Sequence, residues 1–357
     1  MQLNQKQAKL FMTNYISICI AFILLISCNE SFKELSEEST KFDLTTEQLL
    51  ENKEHVKKID RFYNQGKEGY FPGKDSVSIY YKIFKQSIEN KGAILISSGR
   101  TEAAIKYQEL IFDLFKQGYS IYILDHRGQG LSGRMTDDPD MGYIDDFQFY
   151  IDDMKHFYTQ YLYPNNYKKT YLLAHSMGGA IGMTYLEQHP NDFNAAAFSS
   201  PMLGLKRFIC TSVKILSGET PEYALGESKY QEDSTGYQNN NLTTSKIRYN
   251  RMIKAFDKTP KAKLGGASYS WVDKSCKQFK YLLNNIEKIQ TPFILFSAEN
   301  DGIIEIDAHQ EFVKKAKGLN KSCEAYLIKN AQHELFIEKD EHRIITLNKT
   351  LLFFEDY

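Results

Sequence analysis

Thr170-Tyr171-Leu172-Leu173-Ala174-His175-Ser176-Met177-Gly178-Gly179-Ala180-Ile181-Gly182 is the stretch whose reading decides the fold. Thr170–Ala174 is a short run of β-formers and apolar residues, which predicts a buried strand. Met177–Gln188 has the length and composition of a helix. Ser176 therefore stands at a sharp strand-to-helix turn. Such a turn tolerates only small residues two positions before and after its serine, because backbones approach closely there. Gly178 meets that need, and Ala174 fills the other place where a glycine is usual. A helix opening directly after the serine aims backbone N–H groups and a positive dipole end at developing negative charge. A glycine-rich turn without chemistry is the bland alternative, and the strand–serine–helix context speaks against it.

Outward from this turn, strands and helices alternate. Ser76–Phe84, Ala93–Ser98, Ser120–Leu124, Asn194–Phe198, Pro292–Phe296 and Glu324–Ile328 are predicted strands. Ile105–Gln117 and a segment near Arg343–Phe354 are predicted helices. Thr45-Thr46-Glu47-Gln48 reads as a capping box opening a helix to about Tyr63. Alternation over this length predicts an α/β protein with a mostly parallel, doubly wound sheet. Between about Gly204 and Glu287 the alternation lapses into Lys/Asn-rich sequence with helical pieces such as Ser245–Phe256. That segment is expected to be an inserted, largely helical cap, with Ser228–Asn241 open to disorder. The expected organisation is a leader over 1–28, a tether and helix over 29–66, a core from 67–203 and 288–357, and the cap over 204–287.

A serine hydroxyl needs a base, and an imidazole needs a carboxylate to orient it. Of eight histidines, His333 follows the last predicted strand in Asn330-Ala331-Gln332-His333-Glu334 and is the expected base. His175 adjoins Ser176 and must point elsewhere, while His189 and His309 are expected on solvated helix surfaces. Asp301, in the loop after the strand Pro292–Phe296, is the expected acid, with Glu299 as the alternative. Ser98-Gly99-Arg100-Thr101-Glu102 follows a buried strand, so the N–H of Arg100 is expected to join that of Met177 in an oxyanion hole. Asp125-His126-Arg127-Gly128-Gln129-Gly130-Leu131-Ser132-Gly133 has neither the spacing nor the helix of a nucleotide-binding loop, and reads as structural.

The chain has 357 residues, a formal net charge of −1 and a pI near 6.7. That balance gives no footprint for nucleic acid. Aromatic residues make up 13%, which suits an apolar ligand or reflects coding bias. The five cysteines, at 19, 28, 210, 276 and 323, form no CxxC pair or His/Cys cluster, so neither a metal nor a disulfide framework is expected.

Lys6 and Lys9 precede an apolar run, Ile16 to Ile26. At about 1.5 Å per residue the run covers roughly 20 Å, short of a ~30 Å hydrocarbon core, which favours a signal peptide over a spanning helix. Its end, Leu25-Ile26-Ser27-Cys28, resembles a bacterial lipobox in which Cys28 is lipidated and becomes the first mature residue. The expected location is the extracytoplasmic side of a membrane, through that lipid anchor. An ordinary signal peptide or an uncleaved anchor is the alternative.

Several stretches are similar to the bacterial lysophospholipases of the inner-membrane type, within the monoacylglycerol-lipase-like α/β-hydrolases. They are Gly99-Arg100-Thr101-Glu102, Asp125 through Arg134, the Ser176 turn, His333-Glu334 with Glu338-Lys339-Asp340, and, within the cap, Arg248-Tyr249 and Leu264 through Val272. The resemblance implies the α/β-hydrolase fold and hydrolysis of a single-chain acyl glycerol ester, a lysophospholipid or a monoacylglycerol, without metal or cofactor. It places Ser176, Asp301 and His333 in a triad, with Arg100 and Met177 at the oxyanion hole. Arg248, Arg251 and Trp271 are expected substrate contacts, and Lys246, Arg248, Arg251 and Arg100 are candidate donors to a head-group phosphate. Ser98 stands where monoacylglycerol lipases usually carry histidine, which argues mildly against that activity.

Overall fold

The computed structural model describes residues 32–35, 41–87, 91–205, 209–210, 221–232 and 236–357. The leader and Cys28 lie outside the described residues. Nine strands form one sheet: β1 (Lys33–Glu34), β2 (Lys67–Pro72), β3 (Ser78–Phe84), β4 (Gly92–Ser97), β5 (Tyr119–Leu124), β6 (Thr170–His175), β7 (Ala195–Ser199), β8 (Phe293–Ala298) and β9 (Cys323–Ile328). Their order is β1-β9-β8-β7-β6-β4-β5-β3-β2. All neighbours run parallel except β2 with β3 and β3 with β5. The expected mostly parallel, doubly wound sheet is present, with an antiparallel pair at one edge.

The central strands read as unbroken apolar runs because both their faces are covered. Ala93 and Leu95 of β4 face one core and Ile94 and Ile96 the other, and Leu172 and Leu173 of β6 divide likewise. One face packs on the helices Gln148–Phe157 and Met177–Gln188. The other packs on Gln108–Lys116 and on Asp340–Asp356, through Leu347, Leu351 and Phe354. β2 and the helix Gln148–Phe157 carry weaker sequence signals and are additions from the structure.

The N-terminal helix differs from expectation. It is two helices, Glu47–Glu51 and Lys53–Asn64, broken at Asn52. Thr46 caps the first, accepting from the Leu49 N–H at 3.2 Å, and Asn52 caps the second. Thr45 instead donates to Asp113 across the core at 2.6 Å. A long-range partner has taken the residue that a local reading makes a cap.

Between β7 and β8 the chain forms a cap with helices Lys246–Lys258 and Tyr269–Asn285, started by N-cap residues Ser245 and Ser268. Contrary to the expectation of no disulfide, Cys210 and Cys276 are bonded, with their Cα atoms 5.6 Å apart. They lie 66 residues apart in sequence, so no local spacing could have paired them. Among the described residues no helix is long and apolar enough to cross a membrane.

Candidate active site

β6 delivers Ser176 to the carboxyl edge of the sheet with φ 51° and ψ −121°, a region costly for a residue with a Cβ. Surrounding bonds hold it there. The Ser176 N–H donates to Ser199 O at 3.1 Å, and Ser176 O accepts from Met202 and Gly179, each at 2.8 Å. A Cβ on Gly178 would lie 2.1 Å from Ser97 O, so only glycine fits that position. Ala174 is fully buried in the turn, with Gly182 facing it from the helix. A Cβ added to Gly182 would reach ordinary contact with Ala174, at 3.5 Å.

The turn brings Ser176 Oγ to 2.9 Å from His333 Nε2, and His333 Nδ1 lies 2.7 Å from Asp301 Oδ2. Asp301 Oδ1 accepts from the N–H groups of Ile303 and Ile304 at 2.8 and 2.9 Å. Burial pushes the Asp301 carboxyl up, but His333 and these two N–H groups outweigh it and hold the carboxyl below its ordinary range. Glu299, the alternative acid, is exposed and accepts from the Asn330 N–H at 2.8 Å, which fastens the loop leading to His333.

The loop after β4 closes over the serine, and a Cβ on Gly99 would lie 3.1 Å from Ser176 Cβ. Gly99 N–H donates to Glu102 Oε2 and Thr101 N–H to Gln129 Oε1, each at 2.7 Å. The peptide N–H of Arg100 lies between these two fixed points. Met177 opens the helix, where first-turn N–H groups have no intrahelical acceptor. The loop read as structural carries this arrangement: Asp125 accepts from Ala104 and Leu131 N–H, each at 2.7 Å.

Beside these residues is a buried charge cluster to which the sequence reading gave no role. Lys106 Nζ lies 2.7 Å from Glu102 Oε1 and 2.5 Å from Glu334 Oε2, and His175 Nε2 lies 3.1 Å from Glu334 Oε2. His175 does point away from the Ser176 hydroxyl, with its ring 4.8 Å from that of His333. Burial disfavours its charged form, but Glu334 and Glu102 outweigh burial and raise its pKa. Glu102, His175 and Glu334 have the spacing of metal ligands. The Lys106 ammonium sits between both carboxylates and already supplies the positive charge. The available signal was adjacency, since Glu102, His175 and Glu334 each adjoin a segment expected to be catalytic.

The site opens into a cavity of about 840 Å³ beneath the cap, lined by Met202, Leu225, Ile253, Phe256, Trp271 and Val272 among others. Trp271 and the Arg100 side chain both line it, with the guanidinium 5.1 Å from the indole centre and donating to Gly265 O at 2.9 Å. Arg248 and Arg251 do not line it, so neither is the contact to substrate in the catalytic cavity that was expected; both line an adjoining groove, each paired with a carboxylate. Arg248 is buried and bound to Glu109, Asp340 and the carbonyls of Thr45 and Glu338. It clamps the cap to the core. Arg251 pairs with Asp60 at 3.0 Å. Glu338 explains its own motif by accepting from Gln332, Thr244 and Lys339 N–H groups, which joins the His333 loop to the cap. His309, expected on the surface, is buried between Ser297 and Pro201 O.

A serine, histidine and carboxylate relayed at the carboxyl edge of this sheet define a serine hydrolase of the α/β-hydrolase class. Residues 88–340 match the family described as serine aminopeptidase, S33, and the chain belongs to that family, within its monoacylglycerol-lipase-like, lysophospholipase branch. It is 32% identical over 304 residues to lysophospholipase L2 of Escherichia coli strain K12, covering 82% of this chain and 88% of that one. It is 34% identical over 291 residues to the probable lysophospholipase L2 of Haemophilus influenzae, covering 79% and 90%. In fold it is similar to a monoglyceride lipase from Saccharomyces cerevisiae, with TM-score 0.63, 19% identity, and 82% and 96% of the two chains covered.

Proposed function

We propose that the protein is a lysophospholipase that cleaves the acyl ester of a single-chain glycerophospholipid through an acyl-enzyme. The observation that carries this is the Asp301–His333–Ser176 relay opening into an apolar cavity. Its likeness to two lysophospholipases over most of their length supports the choice of substrate.

Ser176 Oγ attacks the ester carbonyl while His333 Nε2 takes its proton, and Asp301 holds the imidazole in the tautomer that can accept it. Negative charge grows on the carbonyl oxygen, where the N–H groups of Met177 and Arg100 stabilise it. Collapse expels the glycerol oxygen, which takes the proton from His333 and leaves the acyl group on Ser176. Water, deprotonated by His333, then releases the fatty acid and restores the serine. The apolar cavity wall takes the acyl chain.

Cys28 as a lipidated first residue on the extracytoplasmic side completes the reading. The Cys210–Cys276 bond supports it, because disulfides persist in oxidising compartments. Mass spectrometry of the mature protein should find an acylated Cys28 and no residues 1–27, and an intact leader on active protein would overturn this part. Turnover of a lysophospholipid panel against a monoacylglycerol of the same chain tests the substrate. Equal or better turnover of the uncharged lipid would move the assignment to monoacylglycerol lipase.

A further inference from the structure

Resting on the lysophospholipase reading, we propose that the groove between the helix Lys53–Asn64 and the cap helix Lys246–Lys258 binds the phosphodiester of a glycerophospholipid head group. Among the described residues three cations line the catalytic cavity: Arg100, Lys106 and Lys263. Each is engaged. Arg100 is held by Gly265 O and Trp271, Lys106 by two carboxylates, and Lys263 by Asp257 at 2.9 Å. Arg100 Nε is the one buried nitrogen among them without a hydrogen-bond partner, so these cations offer a phosphate in that cavity a single unengaged buried donor.

A second cavity of about 510 Å³ adjoins it, and Lys106 and Met252 line both. Across this second space Lys53 and Lys57 on one helix meet Lys254 and Lys258 on the other. Each pair has the i,i+4 spacing at which like charges on one helix repel. Lys57 pairs with Glu54 at 2.8 Å. Lys53, Lys254 and Lys258 have no ion-pair partner among the described residues. Of the carboxylates that line the groove, Asp60 is taken by Arg251, and Glu109 by Arg248 and Arg343. Among the described residues Glu54 offsets Lys57, and of the lining carboxylates Glu51 alone is left to offset the other lysines. The sequence therefore sets repelling cations around a concave space that a compact anion would relieve. Lysine is a point-charge phosphate binder that needs no fixed fork geometry.

A phosphodiester can come from the head group of the substrate or from an intact phospholipid in a bilayer facing the cap. The mature full-length protein carrying Lys254→Glu and Lys258→Glu distinguishes the sources, with Lys254→Gln and Lys258→Gln as a milder pair should charge reversal disturb folding. For a substrate head group, kcat/KM for monomeric lysophosphatidylethanolamine falls at least tenfold while that for a monoacylglycerol of the same chain stays within twofold. Glycerophosphoethanolamine then also inhibits the wild type and loses that effect on the variant. For a bilayer head group, both monomeric substrates are unchanged, but the variant, still held to vesicles by its lipidated Cys28, loses the wild type's preference for phosphatidylglycerol vesicles over vesicles of an uncharged glycolipid. No change in either arm overturns the groove. A wild type that cleaves only the monoacylglycerol defeats the lysophospholipase reading instead, and the vesicle arm still judges the groove.

Discussion

The ammonium of Lys106 lies 2.5 Å from a carboxylate oxygen of Glu334, the residue directly after His333. Through its second contact, with Glu102, it also reaches the loop that closes over Ser176. Lys106 is thus a positioning residue that ties two catalytic segments together. Lys106→Met leaves two buried carboxylates with His175 as their remaining ion-pair partner, and removing one partner from such a buried set costs about 3–5 kcal/mol. Thermal denaturation should show that loss. Displacement of the paired loops should lower kcat about 10²-fold, with KM little changed. Lys106→Arg should recover part of kcat, and a Met variant with wild-type kcat would remove the positioning role.

Ser176→Ala and His333→Ala should each abolish nearly all esterase activity, and the double variant should be scarcely worse, because the relay acts as a unit. Asp301→Asn should impair strongly by disturbing the imidazole's tautomer, whereas Glu299→Gln should be mild. Purified variants assayed on one soluble ester decide this. A crippling Glu299→Gln beside a mild Asp301→Asn would reassign the acid.

Acid should destabilise the protein through two buried imidazoles. Burial pushes His126 down to about 3 and His309 down to about 4, while an unfolded histidine titrates near 6.5. Between those values the unfolded chain binds more protons, so stability is full above about pH 6.5 and falls as pH drops through the window. Each group contributes a slope of up to about 1.4 kcal/mol per pH unit. The urea midpoint should therefore drop between pH 7 and pH 5, and His309→Gln should flatten part of that drop. A midpoint that His309→Gln leaves equally pH-sensitive would exclude this contribution.

Reducing the Cys210–Cys276 bond frees a loop of 66 residues, worth about 4 kcal/mol by loop-closure entropy. Both cysteines belong to the segment between β7 and β8. Dithiothreitol, or Cys276→Ser, should lower the melting temperature and loosen the cap, read as faster amide exchange in the helix Tyr269–Asn285. Unchanged exchange there would show that the bond does not hold the cap.

Gly178→Ala would bring a Cβ to 2.1 Å from the Ser97 carbonyl, so the elbow could not keep its path. We expect little folded, active enzyme from this variant, measured as soluble yield and specific activity, and normal values would contradict the close approach. Gly182→Ala should be milder, since its nearest neighbour is the flexible end of Leu172 at 3.0 Å.

What the sequence determined by itself was local or periodic. Continuous apolar runs fixed the strands around β4, β6 and β8, because a strand buried on both faces has no polar alternation to confuse. The Ser176 turn was legible because its small residues and its helix are contiguous, and His333 and Asp301 were found from their places after the last strands. Tertiary structure decided what depends on partners distant in the chain. The position of Thr45 opposite Asp113, the burial of His309, the Cys210–Cys276 bond and the Lys106–Glu334 contact all join residues that no period or spacing relates. Arg248 was the instructive failure: a cation in a cap reads as a ligand donor until Glu109 and Asp340 prove to be its partners. A charge buried on folding must find its countercharge wherever the chain brings one, and only the folded chain shows where that is.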